Sequence, residues 1–248
     1  MNPAEFQNIA AAEETLWWYR GMRSILFRLI DPFLAGKTFG PVLEAGCGTG
    51  HFAALLERRY GWRVHAVDLG EAGVRQAHGR GLARVARADV SRLPFAAGSF
   101  DAVFSMDVLP HFSSGNEVIP LTEMARVLRP GGLLVLRAAA LRALRSRHSM
   151  FVKERQRFVR GRLVRRVEEA GVRVLRSTYA NTFLLPVALT KFRVWEPLTR
   201  ARPASGVTLP PAWLNNLLQL PLTAEAALIG GGVDLPLGQS IVLVGRKE

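Results

Sequence analysis

One stretch decides the fold: residues 42–50, which read Val-Leu-Glu-Ala-Gly-Cys-Gly-Thr-Gly. Two apolar residues end a predicted strand, an acid follows at Glu44, and glycine then occupies every second position. Glycine lets the backbone turn tightly and approach a ligand without a Cβ in the way. A predicted helix over residues 51–59 would point its free N-terminal amides at that ligand. The stretch therefore predicts the strand–turn–helix nucleotide site of an open α/β sheet.

Three further apolar runs end next to a polar residue. Residues 63–67 end in Asp68, residues 83–88 end in Asp89, and the run 100–106 follows after a turn. Ligands bind at the carboxyl ends of the strands in such sheets, and an acid ending the second strand is placed to accept hydrogen bonds from ribose hydroxyls. The runs predict one ligand crevice at this edge of the sheet.

The spacing of the glycines separates two cofactors. A nicotinamide site usually reads G-x-G-x-x-G, which would require glycine where this chain has His51. The form here, G-x-G-x-G with Glu44 two residues ahead, resembles the class I S-adenosylmethionine-dependent methyltransferases. Asp89-Val90 before residues 93–95 resembles the third motif of that family, and residues 128–132 resemble the turn leading into its fifth strand. On these motifs the chain is identified as a member of the family.

The resemblance implies an α/β fold with a doubly wound, seven-stranded, mostly parallel sheet (the Rossmann-like methyltransferase fold) and a helical cap insertion. We divide the chain into an N-terminal helical segment (1–36), the S-adenosylmethionine-binding domain (37–180), the cap or substrate insertion (181–238) and the final strand (239–248). A chain of 248 residues is long enough to bury a sizeable core in this way.

The resemblance also implies a role for each strand end. The glycines would pack against the aminoacyl part and ribose of the cofactor, Asp68 would bind the ribose hydroxyls, and Asp89 would meet the adenine amino group. The chain after the fourth strand would supply a carbonyl to the ammonium group. S-adenosylhomocysteine would be the product. The expected cofactor-binding residues in this part of the chain are Glu44, Ala45, Gly46, Cys47, Gly48, Gly50, Asp68, Leu69, Asp89, Val90, Ser105 and Met106.

The segment 17–23, Trp-Trp-Tyr-Arg-Gly-Met-Arg, resembles one large bacterial branch of this superfamily, the type 11-like methyltransferases. We add Trp18 and Arg23 to the expected cofactor site, since an aromatic face can cover a sulfonium cation and a guanidinium can bind a carboxylate. The alternative is an amphipathic helix whose tryptophans pack on the sheet. Both interpretations stay open at this point.

The implied reaction is transfer of the sulfonium methyl group to a nucleophilic atom, for which the family has no universal catalytic residue. His111 and His148 are the candidates for a general base, because the unperturbed pKa of histidine lies near neutrality. A histidine satisfied within a loop is the alternative for His148. A protein that keeps the fold and binds the cofactor without transferring methyl groups is the alternative function.

The basic charge is localised. The chain has a net charge of +13, and residues 137–176 hold thirteen Lys or Arg against three acids, a contribution of +10. Four explanations are open: an anionic acceptor, an anionic membrane surface, nucleic acid, or an ordinary solvated helix. We expect no nucleic acid partner, because no aromatic platform or known binding module interrupts the basic residues. Arg155, Arg157 and Tyr179 are the substrate-binding candidates.

Residues 183–190 and 213–220 are predicted helical pieces of the insertion. Their leucine-rich faces would line a pocket for an apolar substrate, or bury against each other or a second subunit. Together with the basic stretch they suggest a small-molecule or lipid-like acceptor, such as a phosphate-bearing amphiphile. The sequence leaves the oligomeric state open.

Composition excludes other classes. The single cysteine, Cys47, forms no internal disulfide, and five scattered histidines lack metal-ligand spacing, so we expect no metal. Residues 1–12 do not resemble a secretory signal, and no apolar run reaches the roughly eighteen residues needed to span a bilayer. We expect a cytoplasmic protein, with association to an anionic membrane surface as an open alternative.

Overall fold

The computed structural model describes residues 3–199 and 202–248. Residues 1–2 of the predicted N-terminal segment and residues 200–201 of the predicted insertion lie outside the described residues. The strands of this part of the chain are β1 (Pro41–Ala45), β2 (Arg63–Asp68), β3 (Val85–Arg87), β4 (Phe100–Met106), β5 (Leu128–Ala139), β6 (Val172–Ala180) and β7 (Ser240–Lys247). They form one sheet in the order β3-β2-β1-β4-β5-β7-β6.

The helices are α1 (Pro3–Ala12), α2 (Trp17–Leu34), α3 (His51–Tyr60), α4 (Glu71–Gly79), α5 (Val118–Val127), α6 (Arg147–Phe151), α7 (Arg160–Glu169), α8 (Leu185–Thr190), α9 (Glu196–Thr199) and α10 (Ala212–Gly230). A π-helical turn, Lys191–Trp195, joins α8 to α9, and short 3₁₀ turns cover Leu109–His111 and Arg142–Leu144. The helix predicted after the glycine turn is therefore confirmed as α3.

The sheet has the predicted arrangement of mostly parallel strands. β1 pairs in parallel with both β2 and β4, and β7 is antiparallel to its neighbours β5 and β6. The chain crosses from β1 outward to β3 and then returns to β4 on the other side of β1. This reversal opens a crevice at the carboxyl ends of β1 and β4, which is where open α/β sheets bind ligands.

One local expectation was wrong. Residues 128–132 do not form a turn ahead of the fifth strand but belong to β5, as a bulge. Phe100 of β4 pairs with Leu128, whereas Ala102 pairs with Leu133, so β5 carries three extra residues between the two pairs. Gly131 adopts a φ of +78°, which lets the extra residues loop out of the ladder.

The two helical parts of the predicted cap have different neighbours. The α8 helix packs on the turn that contains Leu144. The α10 helix packs on α2, where a Cβ on Gly21 would lie 2.3 Å from Leu222. Asn215 ties the two helices together further, because its side chain accepts a hydrogen bond from the amide of Trp17 at 2.9 Å. That residues 181–238 act as one cap stays a prediction.

None of the helices in residues 3–199 and 202–248 is long and apolar enough to cross a membrane.

Candidate functional site

The glycine turn after β1 depends on the absence of side chains. Gly46, Gly48 and Gly50 have φ values of +87°, +54° and +75°, a region that other residues rarely adopt. A Cβ on Gly46 would lie 2.1 Å from a methyl carbon of Val108, and one on Gly50 would lie 2.5 Å from the Cβ of Ala77. The turn is therefore packed tightly between helix α4 and the segment that follows β4.

Asp68, at the end of β2, is bonded to the glycine turn. Its carboxylate accepts hydrogen bonds from the amide of Gly48 at 2.8 Å and from the amide of Gly70 at 2.7 Å. A carboxylate offers about four acceptor positions, so about two remain for hydroxyl donors such as those of a ribose. The neighbouring Leu69 leaves 60% of its surface exposed beside this position. Its packing against adenine stays a prediction.

The other predicted cofactor residues lie at the neighbouring strand ends. Asp89 is exposed just beyond β3, and its carboxylate accepts from the amide two residues further on at 2.8 Å, which leaves its second oxygen free among the described contacts. Val90 is buried beside it. The hydroxyl of Ser105 donates to the carbonyl of Ala45 at 2.8 Å, so this side chain joins β4 to β1, while Met106 is half-buried at the rim.

Glu44 is buried beneath the glycine turn. Its side chain is 2% exposed, and its Oε2 atom has no hydrogen-bond partner among the described residues. Burial raises the pKa of this carboxyl well above its usual range, and the carboxylates of Asp68 and Glu13 raise it further. Burial likewise raises the pKa of the Cys47 thiol, which disfavours the reactive thiolate and agrees with a small residue within the turn.

Helix α1 covers the glycine turn, which the sequence did not reveal. Phe6 is 3% exposed and lies where a Cβ on Gly70 or Gly73 would come within 2.7 Å of its ring. The glycines at the start of α4 thus leave room for an aromatic side chain from a segment some sixty residues earlier. These two glycines, three residues apart at the start of a helix, are the feature of the sequence that could have indicated such a contact.

A buried acid connects this cover to the turn. Glu13 accepts a hydrogen bond from the hydroxyl of Thr49 at 2.6 Å and forms an ion pair with Arg80. Burial raises the pKa of Glu13, and the contacts with Thr49 and Arg80 oppose that rise. The guanidinium of Arg23 donates to the backbone carbonyls of Glu13 and Glu14. Arg23 therefore holds the connection between α1 and α2, and its predicted bond to the cofactor stays untested.

Trp18 faces another arginine in the crevice. The guanidinium carbon of Arg137, on β5, lies 5.0 Å from the centre of the Trp18 ring, in cation–π contact. Arg137 also forms an ion pair with Asp107 at 2.6 Å. Asp107 directly follows β4 and has a φ of +58°, a strained conformation for a residue other than glycine. Arg137 was not predicted, and Asp107 was predicted only as part of the segment 105–107 that would supply a carbonyl, although an acid after the fourth strand repeats the pattern of Asp68 and Asp89.

His148, on α6, reaches the same cover. Its Nδ1 atom accepts a hydrogen bond from the amide of Gly206 at 3.0 Å and lies 3.6 Å from an oxygen of the fully buried Glu5. Burial lowers the pKa of His148, so the ring is neutral at pH 7. With Nδ1 accepting, the proton is assigned to Nε2. In this tautomer the Nε2 atom can donate a hydrogen bond and the basic Nδ1 atom is occupied by the amide of Gly206, so the predicted role of His148 as general base stays untested.

His111 lies nearby in the turn after β4. It is half-buried, and burial lowers its pKa, which keeps the ring neutral at pH 7. The carboxylates of Asp107 and Glu154 raise the pKa of both His111 and His148, and so partly offset the effect of burial. The structure thus brings the two histidines, far apart in the chain, to the same pair of acids.

A second concave region lies beyond α6. It is a cavity of about 930 Å³, which we call the arginine cavity. Its lining includes the substrate candidates Arg155 and Arg157. Helix α6 contributes Arg147 and Met150 to the lining, and His148 of the same helix points toward Glu5. Its full lining is Ser114, Arg142, Arg145, Ser146, Arg147, Met150, Glu154, Arg155, Gln156, Arg157, Arg162, Phe192, Arg193, Glu196 and Pro197.

The arginines of this cavity are of two kinds. Arg157 is fixed: it pairs with Glu154 at 2.7 Å and donates to the hydroxyl of Ser149 at 3.0 Å. Arg155 is exposed, and within the described part of the chain its side chain has no ion pair. Three other arginines of the cavity are likewise exposed and have no ion pair with a described residue, namely Arg142, Arg145 and Arg193. Tyr179, the third candidate, is instead buried in the core, where its hydroxyl accepts from the amide of Arg160 at 3.1 Å.

Charge is therefore divided between two neighbouring regions. The crevice collects five acids although the chain as a whole carries +13, namely Glu5, Glu13, Glu44, Asp68 and Asp107. Glu13 and Asp107 pair with Arg80 and Arg137, and burial disfavours the charged form of Glu44. The arginine cavity has seven arginines against two acids in its lining. Acidic walls favour a cationic ligand and basic walls an anionic one, so the two regions suit ligands of opposite charge.

Comparison with known proteins agrees with this geometry. Residues 43–136 match the family described as a methyltransferase domain. The 2-methyl-6-phytyl-1,4-hydroquinone methyltransferase of Synechocystis sp. is 33% identical over 111 residues, covering 43% of this chain and 33% of that protein. The malonyl-(acyl-carrier protein) O-methyltransferase of Herminiimonas arsenicoxydans is 38% identical over 111 residues, covering 44% and 41%. The chain spans about a third of the length of the first curated relatives.

A solved structure extends the likeness to the whole fold. The geranyl diphosphate C-methyltransferase from Streptomyces coelicolor A3(2), solved with Mg²⁺, geranyl diphosphate and S-adenosyl-L-homocysteine, superposes with a TM-score of 0.57 at 17% identity, covering 89% of this chain and 75% of that one. The fold and crevice thus define a Rossmann-like methyltransferase architecture. Residues 43–136 carry the methyltransferase domain and the matching relatives are methyltransferases, which confirms the predicted family resemblance and fold class.

Proposed function

We propose that this protein transfers a methyl group from S-adenosylmethionine to an anionic acceptor bound in the arginine cavity. The observation that carries the proposal is the division of charge between the acidic crevice and the arginine cavity. Helix α6 borders both regions, because His148 reaches Glu5 while Arg147 and Met150 line the cavity. The anionic group of an acceptor would be held in the cavity, while its reacting atom would extend past this helix to the methyl donor in the crevice.

The residues of the crevice fit the cofactor. S-adenosylmethionine carries a sulfonium and an ammonium group, and the crevice offers carboxylates where the rest of the chain is basic. The unpartnered Oε2 of Glu44 is a buried polar atom that the described residues leave unsatisfied. Asp68 would hold the ribose hydroxyls, with Leu69 and Asp89 at the adenine. The cofactor supplies an electrophilic methyl group when bound.

The chain's own contribution is to position the reactants and to exclude water. Helix α1 and Phe6 close over the glycine turn, which keeps bulk water away from the crevice. Neutral His111 can accept a proton if the acceptor arrives protonated, whereas the Nε2 atom of His148 can only donate a hydrogen bond in the assigned tautomer. An acceptor that is already anionic needs no general base.

The unpaired arginines support an anionic acceptor. Arg142, Arg145, Arg155 and Arg193 have exposed guanidinium groups without ion pairs in the described part of the chain. Guanidinium groups bind phosphates and carboxylates with two parallel hydrogen bonds. The acceptor is therefore proposed to be a small molecule or lipid-like compound with a phosphate or carboxylate group, and nucleic acid is expected to be no substrate.

Calorimetric titration with S-adenosylhomocysteine tests the cofactor site. Wild-type protein is expected to bind it with micromolar affinity, and Asp68→Ala to weaken binding by at least about a hundredfold, since two hydroxyl contacts to a charged acceptor are lost. Asp101→Ala is the matched control, because Asp101 lies at the opposite end of the sheet in an ion pair with Arg129. Folded wild-type protein that does not bind would contradict the proposal.

The alternative is a regulatory protein that binds the cofactor without transferring methyl groups. Both functions predict binding of S-adenosylhomocysteine, so a transfer assay separates them. A labelled methyl donor is incubated with phosphate- and carboxylate-bearing amphiphiles and, as a comparison, with RNA. Label in an anionic amphiphile supports the enzyme, label in RNA contradicts the proposed acceptor, and no transfer from a protein that binds the cofactor favours the regulator.

A further inference from the structure

The segment 185–199, formed by α8, the π-helical turn and α9, is amphipathic. Its inner side packs Leu185, Ala188 and Phe192 on Leu144, in a small core separate from the main one. Its outer side carries large apolar side chains that are exposed by 59% at Val187, 65% at Trp195 and 74% at Leu198. We call this segment the interfacial helix.

The outer side is continuous rather than a scatter of single exposed residues. Val187, Lys191, Trp195 and Leu198 follow one another at spacings of three or four residues, which places them along one side of the helix. Val187, Lys191 and Trp195 line a shallow groove of about 540 Å³. A grouped apolar surface of this kind marks an interaction site more often than isolated exposed residues do.

Charge indicates what covers this surface. Lys191 and Arg193 belong to the interfacial helix, and Arg193 lines the arginine cavity together with Arg142 and Arg145. The acid of the same segment, Glu196, accepts a hydrogen bond from the amide of Arg147 at 2.9 Å and thus faces inward. A second copy of the chain would bring these cations against their own counterparts across a two-fold axis. An anionic surface is the better match.

We propose that the interfacial helix docks on the surface of an anionic phospholipid bilayer. Trp195 and Leu198 enter the boundary between headgroups and acyl chains, a depth that tryptophan favours, while Lys191 and Arg193 meet the headgroups. The arginine cavity then opens next to the bilayer, so that its acceptor is an anionic lipid taken from the membrane. This last step rests on the proposed function, whereas docking does not.

A second apolar surface on the molecule provides the comparison. The α10 helix also exposes large apolar side chains, by 68% at Trp213, 53% at Leu217 and 63% at Leu220, which are fractions similar to those of the interfacial helix. Residues 212–230 contain no Lys or Arg, and their acid, Glu225, is buried. Without cations this side lacks the attraction to anionic lipid, so it serves as a matched control.

Vesicle flotation tests the docking in the absence of cofactor. Wild-type protein is expected to float with vesicles of phosphatidylcholine and phosphatidylglycerol, to float much less with phosphatidylcholine alone, and to be released at high ionic strength. The double variant Trp195→Ala/Leu198→Ala is expected to partition about tenfold more weakly, since two apolar anchors are lost. The control Trp213→Ala/Leu217→Ala keeps wild-type partitioning.

Three results would overturn the docking. They are no flotation of wild-type protein, equal flotation with and without phosphatidylglycerol, and an equal loss of flotation in the α10 control variant. Titration with S-adenosylhomocysteine checks that both variants remain folded. It also separates the two proposals, because failure of the cofactor site abolishes that titration and leaves flotation unchanged. Failure of docking does the reverse.

Discussion

The acidic crevice and the arginine cavity lie on either side of α6, yet they are built in different ways. The crevice is made mostly by backbone: a glycine turn, its amides and carboxylates fixed at strand ends. The cavity is made by side chains from segments some fifty residues apart, such as Arg142 and Arg193. The first kind of site follows from local sequence, and the second needs the chain to be folded.

The crevice is expected to tolerate change least at Gly46. Alanine there suffers both the positive φ and a contact of 2.1 Å with Val108, so Gly46→Ala should lower the free energy of unfolding by at least about 3 kcal/mol. Gly36→Ala is the control, because Gly36 has a similar φ of +69° but nothing within 4 Å. It should cost about 1 kcal/mol, the backbone strain alone. Urea unfolding measures both, and equal losses would show that the close contact does not matter.

The two kinds of arginine in the cavity should respond differently to removal. Arg157→Ala leaves the carboxylate of Glu154 without its partner and should lower the free energy of unfolding by about 2 kcal/mol. Arg155→Ala breaks no ion pair and should keep stability within about 0.5 kcal/mol. It should instead reduce kcat/KM about tenfold with unchanged affinity for S-adenosylhomocysteine. A loss of stability in Arg155→Ala would mean that this side chain belongs to the scaffold.

The pH dependence of stability tests the crevice through His51, the first residue of α3 after the glycine turn. Burial, with the charges of Arg23 and Arg80, lowers the pKa of His51 from its ordinary 6.5 to about 4. Between these values the unfolded chain binds a proton that the folded chain does not, so the stability contributed by neutral His51 is lost as the pH falls from 6.5 through 4.

The measurement is urea unfolding at several pH values for wild type and His51→Gln. Wild type should lose stability relative to the variant on going from pH 7 to pH 4, whereas buried carboxyls such as Glu44 affect both proteins alike. If the free energy of unfolding had the same pH dependence in both proteins, His51 would not be the group that takes up the proton.

Sequence reasoning worked where a feature is local. Asp68 ends β2 and Asp89 follows β3 closely, as the apolar runs predicted, and α3 follows the glycine turn, as predicted. That the two acids bind the cofactor stays a prediction. It failed where a feature depends on partners. Arg157 looked as available as Arg155 until Glu154 and Ser149 were seen to hold it, and Tyr179 proved to be buried.

The sequence by itself determined the family resemblance, the mostly parallel seven-stranded sheet and the strand ends at which the cofactor is proposed to bind, because backbone torsions and apolar periodicity act over a few residues. Only the tertiary structure decided the cover over that crevice, the tautomer of His148 and the composition of the arginine cavity. The bond between His148 and Gly206 spans 58 residues, and that between Glu5 and Ser205 spans 200. Such pairings are chosen by packing, which no local pattern in the chain encodes.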